Sequence, residues 1–332
     1  MYFFLTYSFF IILLSIFVKK KKLFLNYTGD KHQLFSNQKN IPLVGGIFLV
    51  LPLILINYQN IIYNFFLISI FLLGFLSDQK ILISAKKRFL FQIILVFFSV
   101  IFLNLEIISS KIIFFDYLLK NSIFNIFFTS FCLLILINGS NFIDGLNGLL
   151  LSYMIFIIFI LSKLGLLNEL SINYEFINYL IFFIIIIIIL NLCNYLMLGD
   201  AGAYILSFFL GYLIINCHIS NPNVSPYFFI TLLWYPCYEN LFSIIRKFKN
   251  KLSPLIPDNN HLHQLIYVRF KKKITKSQLI ANNISSLLIS FVNVIIILIS
   301  SIDPYSSVYQ IKLIFFSMFL YTFIFIMIRK IL

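Results

Sequence analysis

Acidic residues are scarce in this chain, since only 11 of its 332 residues are Asp or Glu, against 25 Lys and Arg. Charged residues make up 11% of the sequence, whereas 61% is hydrophobic and the mean hydropathy is +1.01. Soluble globular proteins contain about 45–50% apolar residues. The composition therefore excludes an ordinary soluble domain and predicts an integral membrane protein.

Two kinds of motif are missing as well. The GxxxxGK[ST] sequence of P-loop NTPases does not occur, which argues against that enzyme class. The four cysteines lie singly in apolar runs, with no CxxC spacing, and are predicted to pack in the core instead of forming disulfides or metal sites. They are Cys132, Cys193, Cys217 and Cys237.

Long apolar runs predict an all-α, polytopic membrane protein that forms a single domain over residues 1–332. A bilayer is spanned by about 17–25 apolar residues. On that criterion we predict eleven transmembrane helices, near residues 2–18, 41–57, 60–76, 89–105, 122–137, 143–162, 176–192, 201–217, 226–245, 279–300 and 310–328. Because the lysines that flank the first run follow it, we interpret that run as an anchor and not as a cleaved signal peptide.

The distribution of Lys and Arg predicts the orientation. Short cytoplasmic loops retain positive charge, and the eleven-helix arrangement places 21 of the Lys and Arg residues on one side and four on the other. The N-terminus is therefore predicted outside and the C-terminus inside. The cytoplasmic loops then lie near residues 19–40, 77–88, 138–142, 193–200 and 246–278. Topology and anionic lipid headgroups explain the net charge of +14 without nucleic acid as a partner.

Five polar segments interrupt the apolar sequence, and all of them fall on the predicted cytoplasmic side. Carboxylates and carboxamides suit Mg²⁺, which usually also binds substrate phosphates. Lys, Arg and His can balance phosphate charge, and glycines allow close approach of the backbone. Together these segments predict phosphoryl transfer at a site reached from the cytoplasm. They are TGDKHQLFSNQKNIPLVGGIF (28–48), GFLSD (74–78), INGSNFIDGLNGL (137–149), LGDAGAY (198–204) and PDNNHLHQ (257–264).

In this order the segments resemble the motifs of the polyprenyl-phosphate N-acetylhexosamine-1-phosphate transferases, a family of multi-helix bacterial membrane enzymes in glycosyltransferase family 4. The resemblance extends over nearly the whole chain. The matching residues are His32, Pro42, Gly45 and Gly46; Gly74, Asp78, Arg88 and Gln92; Asn138, Asn141, Asp144, Gly145 and Gly148; Gly199, Asp200 and Gly202; and Asp258, His261 and His263.

The resemblance implies that a cytoplasmic UDP-linked N-acetylsugar reacts with a polyprenyl phosphate in the cytoplasmic (inner) membrane, which begins the assembly of a surface glycan. It implies Mg²⁺ as cofactor, with Mn²⁺ as the alternative ion. The oligomeric state is left open between a monomer and a homodimer. The implied catalytic residues are Asp78, Asp144, Asp200, His261 and His263. The implied substrate-binding residues are Asn138, Asn141, Asn147, Lys87, Arg88 and Asp258, and the implied metal ligands are Asp200 and Asn141.

Three positions depart from the family pattern. Ser77 replaces the first acid of an Asp pair, Asn147 replaces the second acid of D-G-x-D-G, and Gln264 replaces a third histidine. A catalytically decayed, lipid-binding scaffold is therefore an alternative, and a membrane transporter is a second, less favoured one. Glu239 lies inside a predicted span and is a functional candidate for that reason.

Simpler roles stay open for several residues. Asp78 and Asp144 are each typical of a helix cap. Gly211 favours a helix-packing role over a ligand contact. His218 is predicted to be a solvated loop residue, and zinc binding by the His261 and His263 pair is disfavoured without a third ligand.

Overall fold

A computed structural model describes residues 2–25, 41–168, 170, 174–253 and 260–331 of the chain. Within these residues the secondary structure is helical, with a single isolated bridge between Leu43 and Met197. The helices are α1 (Tyr2–Lys21), α2 (Gly45–Ile56), α3 (Ile61–Asp78), α4 (Ala85–Phe102), α5 (Ile113–Leu119), α6 (Ser122–Ile143), α7 (Leu149–Lys163), α8 (Tyr174–Leu192), α9 (Gly199–Ser220), α10 (Pro226–Leu232), α11 (Trp234–Lys249), α12 (Leu262–Lys273), α13 (Gln278–Ser300) and α14 (Ser307–Ile331).

The predicted all-α class is confirmed, and each of the eleven predicted spans overlaps at least one of these helices. By length and composition, five helices of the described chain can cross a membrane, namely α3, α6, α9, α13 and α14. The pair α10 and α11, bent by 75° at Leu233, makes a sixth candidate, and α2, α7 and residues 176–192 form shorter apolar helices. The chain is thus a multi-pass membrane protein, while the count of eleven spans and the orientation stay predictions.

Helix α9 is the central helix of the bundle, and 89% of its most apolar stretch is buried. Two glycines bring neighbouring helices against its first turn. A Cβ atom at Gly46 of α2 would lie 2.5 Å from the backbone nitrogen of Gly202, and one at Gly74 of α3 would lie 2.5 Å from Cα of Ala201. Because Cβ atoms do not approach backbone atoms this closely, only glycine permits these crossings. The N-terminus of α9 is therefore fixed against the ends of α2 and α3.

Glycine also serves as a packing residue elsewhere on α9 and on α6. A Cβ atom at Gly211 would collide with the side chain of Leu133, which confirms the packing role for Gly211. Gly139 of α6 lies against the backbone of Pro236 in α11, and Asn240 donates a hydrogen bond from Nδ2 to the Ile135 carbonyl, 3.1 Å away. These contacts hold α11 close to the C-terminal half of α6.

The bend between α10 and α11 leaves backbone carbonyls without helical partners, and α7 supplies one. The hydroxyl of Tyr153 donates to the carbonyl oxygen of Leu232 over 2.6 Å. Both residues are buried. Broken helices persist in membrane proteins where the freed backbone groups find such partners.

Two expectations from the sequence are wrong. His218 is not a solvated loop residue, because it lies in the last turn of α9, is only 7% exposed and packs edge-on against the ring of Phe229. Cys193 is not a core residue, because the turn after α8 leaves it exposed, whereas Cys217 is buried and the other two cysteines are partly buried. Both errors arise at helix ends, where hydropathy does not determine which side faces the bundle.

Candidate functional site

Asp78 connects the end of α3 to the beginning of α9. Its Oδ1 accepts the backbone N–H of Asp200 at 2.9 Å, and its Oδ2 accepts that of Ala201 at 3.0 Å. The first N–H groups of a helix lack partners within the helix, so this carboxylate caps α9 from outside. Gly199 has φ +73°, and a Cβ there would lie 2.6 Å from Asp78 Oδ2. The helix-cap interpretation of Asp78 thus agrees with the structure.

Asp200 is paired with a guanidinium that the sequence around it does not reveal. Its Oδ2 accepts a hydrogen bond from Nη1 of Arg88 at 2.8 Å and one from Oγ of Ser77 at 2.6 Å. The Arg88 guanidinium also contacts the Ser77 hydroxyl. A carboxylate at position 77 could not donate a hydrogen bond to Asp200, whereas the serine found there can. The replacement of the family's acid by Ser77 therefore agrees with its contacts to Asp200 and Arg88. The Arg88 and Asp200 side chains are 29% and 22% exposed, which leaves the pair accessible to a ligand.

Asp144, directly after α6, is the third carboxylate of this region. Burial raises its pKa well above the ordinary value, and the negative charges of Asp78 and Asp200 raise it further, while a hydrogen bond from the Gly199 backbone acts in the opposite direction. Like charges raise the pKa of a carboxyl group only when they lie near it. Three carboxylates, from α3, from α9 and from the turn after α6, therefore meet at the N-terminus of α9 and are here called the acidic cluster.

A second group of titratable side chains joins α11 to the start of α12. Nδ1 of His261 donates to Oε1 of Glu239 over 2.8 Å, and both side chains are buried. His263 is fully buried, its ring centroid lies 5.6 Å from that of His261, and its Nδ1 is 3.9 Å from Oε2 of Glu239. Gln264, which replaces a third histidine, accepts the backbone N–H of His261 at 3.4 Å and helps to begin α12.

The turn after α6 connects the acidic cluster to this histidine pair. The ring of Phe142 lies 4.8 Å from the ring of His261, and a Cβ at Gly145 would lie 3.0 Å from Nε2 of His263. Asp144 lies between these two contacts in the chain and interacts electrostatically with Asp78 and Asp200. The structure thus brings the predicted catalytic residues into one site around this turn.

The remaining predicted residues lie around this site or outside the described chain. Asn138 donates from Nδ2 to Oε1 of Gln92 at 2.9 Å, which joins α6 to α4. Asn141 is half-buried, and Lys87 is exposed on the first turn of α4. Asn147 is buried and hydrogen-bonded to other asparagines. Asp258 and His32 lie outside the described residues.

Sequence reasoning missed several site residues. It did not find Ser77 and Arg88 as joint partners of Asp200, nor the asparagines that surround Asn147, which are Asn191, Asn194, Asn282 and Asn283. For Asn282 and Asn283 the sequence offers one local indication, which is that two adjacent carboxamides lie near the start of the apolar helix α13. A polar residue in a transmembrane segment is expected to face the protein interior.

The described residues contain no group of three or more His, Cys, Asp or Glu side chains arranged to hold a metal ion. This does not test the predicted magnesium site, because Mg²⁺ is usually held by one or two carboxylates together with waters and substrate phosphates. Magnesium therefore stays a prediction.

Comparison with known proteins supports the resemblance that the five polar segments indicate. The family described as glycosyl transferase family 4 matches residues 60–218, a range that contains the whole acidic cluster but not the histidine pair. An undecaprenyl-phosphate alpha-N-acetylglucosaminyl 1-phosphate transferase from Thermotoga maritima is 27% identical over 266 residues, which cover 79% of this chain and 78% of that protein. The resemblance stated from the five motifs is confirmed.

Proposed function

We propose that this chain is a member of glycosyl transferase family 4 and that it transfers an N-acetylhexosamine 1-phosphate from a UDP-linked sugar to undecaprenyl phosphate and releases UMP. One observation carries the proposal: the acidic cluster and the histidine pair meet at the turn after α6, although their residues come from four separate segments, namely α3, this turn, α9 and the start of α12. The Thermotoga maritima relative is named for undecaprenyl phosphate and supports this acceptor.

The reaction needs an attacking oxygen, a leaving group and charge balance. A phosphate oxygen of the lipid forms a bond to the phosphorus that bears the sugar, and the bond from that phosphorus to UMP breaks, so that UMP leaves with the electron pair. The lipid phosphate has a second pKa of about 6 and is largely dianionic at neutral pH. It can therefore attack without a general base, and the serine at position 77 does not by itself argue against activity.

Cationic and hydrogen-bonding side chains border the acidic cluster, where phosphate oxygens would lie. Arg88 can exchange its contact with Asp200 for a phosphate, because both side chains are partly exposed. Glu239 accepts a hydrogen bond from Nδ1 of His261 and orients this ring, and we assign His261 to the phosphate groups of the substrates. Burial lowers the pKa of His263, and we assign it as a neutral imidazole that supports the turn at Gly145.

The donor set of this site is compatible with Mg²⁺, or with Mn²⁺ as the alternative. Both oxygens of Asp78 are occupied by backbone N–H groups, so we assign Asp200 and Asn141, with Asp144 beside them, to the ion. Burial is the main cause of the raised pKa of Asp144, and the charges of Asp78 and Asp200, which a divalent cation would offset, raise it further. When bound, Mg²⁺ would neutralise charge on the pyrophosphate and on the departing UMP.

We further propose that the site faces the cytoplasm from a bacterial inner membrane and that the product begins a surface glycan. The excess of Lys and Arg on the predicted cytoplasmic side supports this orientation. The default sugar is GlcNAc, and a modified amino or deoxy sugar is the alternative.

The proposal is tested by incubating the purified protein with undecaprenyl phosphate, Mg²⁺ and a panel of UDP-N-acetylsugars. We expect equal amounts of UMP and of an undecaprenyl-diphospho-sugar, both detected by mass spectrometry, with at least one sugar. Folded protein that binds undecaprenyl phosphate but gives no product with any member of the panel would instead be the decayed, lipid-binding scaffold.

Replacement of His261 by Ala is expected to reduce turnover about ten- to a hundredfold, because a charge-assisted hydrogen bond to phosphate contributes about 1.5–3 kcal/mol. His218→Ala is the matched control, since this histidine is also buried but lies in the last turn of α9, remote in sequence from the motifs. Turnover is measured per folded molecule as UMP released. Wild-type turnover in folded His261→Ala would show that the segment HLHQ (261–264) has a structural role and not a catalytic one.

A further inference from the structure

A network of side-chain amides holds the turn after α6 from the side opposite the histidine pair. The backbone N–H of Asn147 donates to Oδ1 of Asn282 at 2.8 Å, and that of Gly148 donates to Oδ1 of Asn191 at 2.6 Å. Nδ2 of Asn147 donates to Oδ1 of Asn194 at 2.9 Å and to Oδ1 of Asn283 at 3.1 Å. These residues, here called the amide network, connect the turn to the end of α8 and to α13.

Backbone carbonyls fix the direction of these hydrogen bonds. Nδ2 of Asn283 donates to the Leu192 carbonyl at 3.0 Å, and Nδ2 of Asn191 donates to the Leu196 carbonyl at 2.9 Å. A carbonyl oxygen only accepts, so both side chains must direct their Oδ1 atoms at the turn. Asn147 therefore has to present its NH₂ group to Oδ1 of Asn283. The Leu192 carbonyl determines which atom of the Asn283 amide is the oxygen, and this in turn determines the orientation of the Asn147 amide.

The network connects the two segments that carry the acidic cluster. Asn147 follows Asp144 by three residues, and Leu196, to which Asn191 is bonded, precedes Asp200 by four. Asn147 and Asn191 are 3% and 5% exposed, so their hydrogen bonds are not replaced by water. A buried network in which all partners match imposes one arrangement on the segments that it joins.

We propose that Asn147 is a positioning residue which, as an obligatory NH₂ donor, fixes the Asp144 turn relative to the segment leading into Asp200. This inference rests on the proposed function, and it differs from the substrate contact that the resemblance implied for Asn147. It also explains the departure from the D-G-x-D-G pattern: an ionised Asp at 147 would direct acceptor oxygens at the Oδ1 atom of Asn283, so the residue typical of the family does not fit this chain.

Asn147→Asp and Asn194→Asp form a matched pair for the test. Both variants change one carboxamide to a carboxylate, at side chains 2.9 Å apart. Asn194 enters the network as an acceptor, and Asp also tolerates its positive φ of 57°, so Asn194→Asp keeps the contact. Asn147→Asp removes the donor. Asn282→Leu, which removes the acceptor for the Asn147 backbone N–H, is a third variant that leaves the Asn147 side chain intact.

We expect kcat for UMP release per folded molecule to fall about tenfold or more in Asn147→Asp and in Asn282→Leu, because in each variant the buried residue 147 loses a hydrogen bond to the network. Asn194→Asp should stay within about twofold of wild type, and the KM for the sugar nucleotide should change little in all three. Hydrogen exchange at the peptide that contains Asn147 and Gly148 should accelerate in the first two variants and not in Asn194→Asp.

Three results would overturn the proposal. Wild-type kcat in folded Asn147→Asp, even with a lowered unfolding temperature, would make the network structural only. A raised KM with unchanged exchange would indicate that Asn147 contacts the nucleotide directly, and equal losses in the matched pair would point to charge alone. If wild-type protein gives no turnover while the exchange pattern is as expected, the proposed function fails and the hydrogen-bond assignment stands.

Discussion

Asp200→Asn is expected to lower UMP release at least about a hundredfold, which corresponds to about 2.7 kcal/mol of transition-state stabilisation, in a protein that still inserts and folds. Asn retains the shape and one oxygen of Asp but not the charge that would hold Mg²⁺. Folding should survive because the pair with Arg88 is partly exposed, and such pairs contribute roughly 0–1 kcal/mol. Turnover of the purified variant is measured over a range of Mg²⁺ concentrations.

Added Mg²⁺ should rescue Asp200→Asn only weakly if the charge acts in the transition state as well as in metal binding. Asp303→Asn is the control, since this carboxylate accepts the Ser306 backbone N–H before α14 and takes no part in the acidic cluster. If Asp200→Asn turns over like wild type at limiting Mg²⁺, then Asp200 does not hold the metal, and the proposed arrangement of the site is wrong at its centre.

Gly74→Ala should destabilise the protein by about 1–3 kcal/mol and also remove most of its turnover. The added Cβ would lie 2.5 Å from Cα of Ala201, and neither backbone can yield without separating α3 from α9. That separation would displace Asp78 from the N-terminus of α9, where it bonds to Asp200 and Ala201. Thermal unfolding in detergent and UMP release per folded molecule are the measurements.

Gly211→Ala is the matched control on the facing helix. There the new Cβ would meet a side-chain methyl of Leu133, which can change its rotamer, so a smaller loss of stability and retained turnover are expected. Ala favours the helix over Gly by about 1 kcal/mol. A loss of stability in either variant would therefore result from packing and not from helix propensity. Equal stability of Gly74→Ala and wild type would mean that α3 and α9 are not in contact at this point.

Hydropathy alone was sufficient to locate the long apolar helices of the described chain, although it did not predict the short helices α5 and α12. Each predicted span overlaps a helix of the described chain, because a bilayer obliges a spanning segment to satisfy its backbone hydrogen bonds internally and to present apolar side chains. The helix ends were less predictable. The break at Leu233 and the burial of His218 depend on partners in α7 and α10, which no local window contains.

The motifs likewise identified which residues carry charge near the site but not what each one contacts. Asp78 and Asp200 were both predicted as catalytic acids, with Asp200 also as a metal ligand, but the sequence did not show that Asp78 caps α9 whereas Asp200 pairs with Arg88. The substitutions at 77 and 147 left a decayed scaffold open as an alternative in the sequence, and in the structure each provides a hydrogen-bond donor to its neighbours.

The sequence by itself thus determined the class of fold, the resemblance to glycosyl transferase family 4 and the membership of the acidic cluster, because these depend on hydrophobic length and on residue type. Only the tertiary structure decided that Arg88 meets Asp200 and that Asn147 meets Asn283, pairs separated by 112 and 136 residues. The first of these contacts depends on how closely α3 approaches α9 at Gly74, and the second depends on how α13 packs beside the turn after α6. Helix separation at such a crossing is set by all the side chains between the two backbones at once, so it is a property of the packed bundle and not of any one segment.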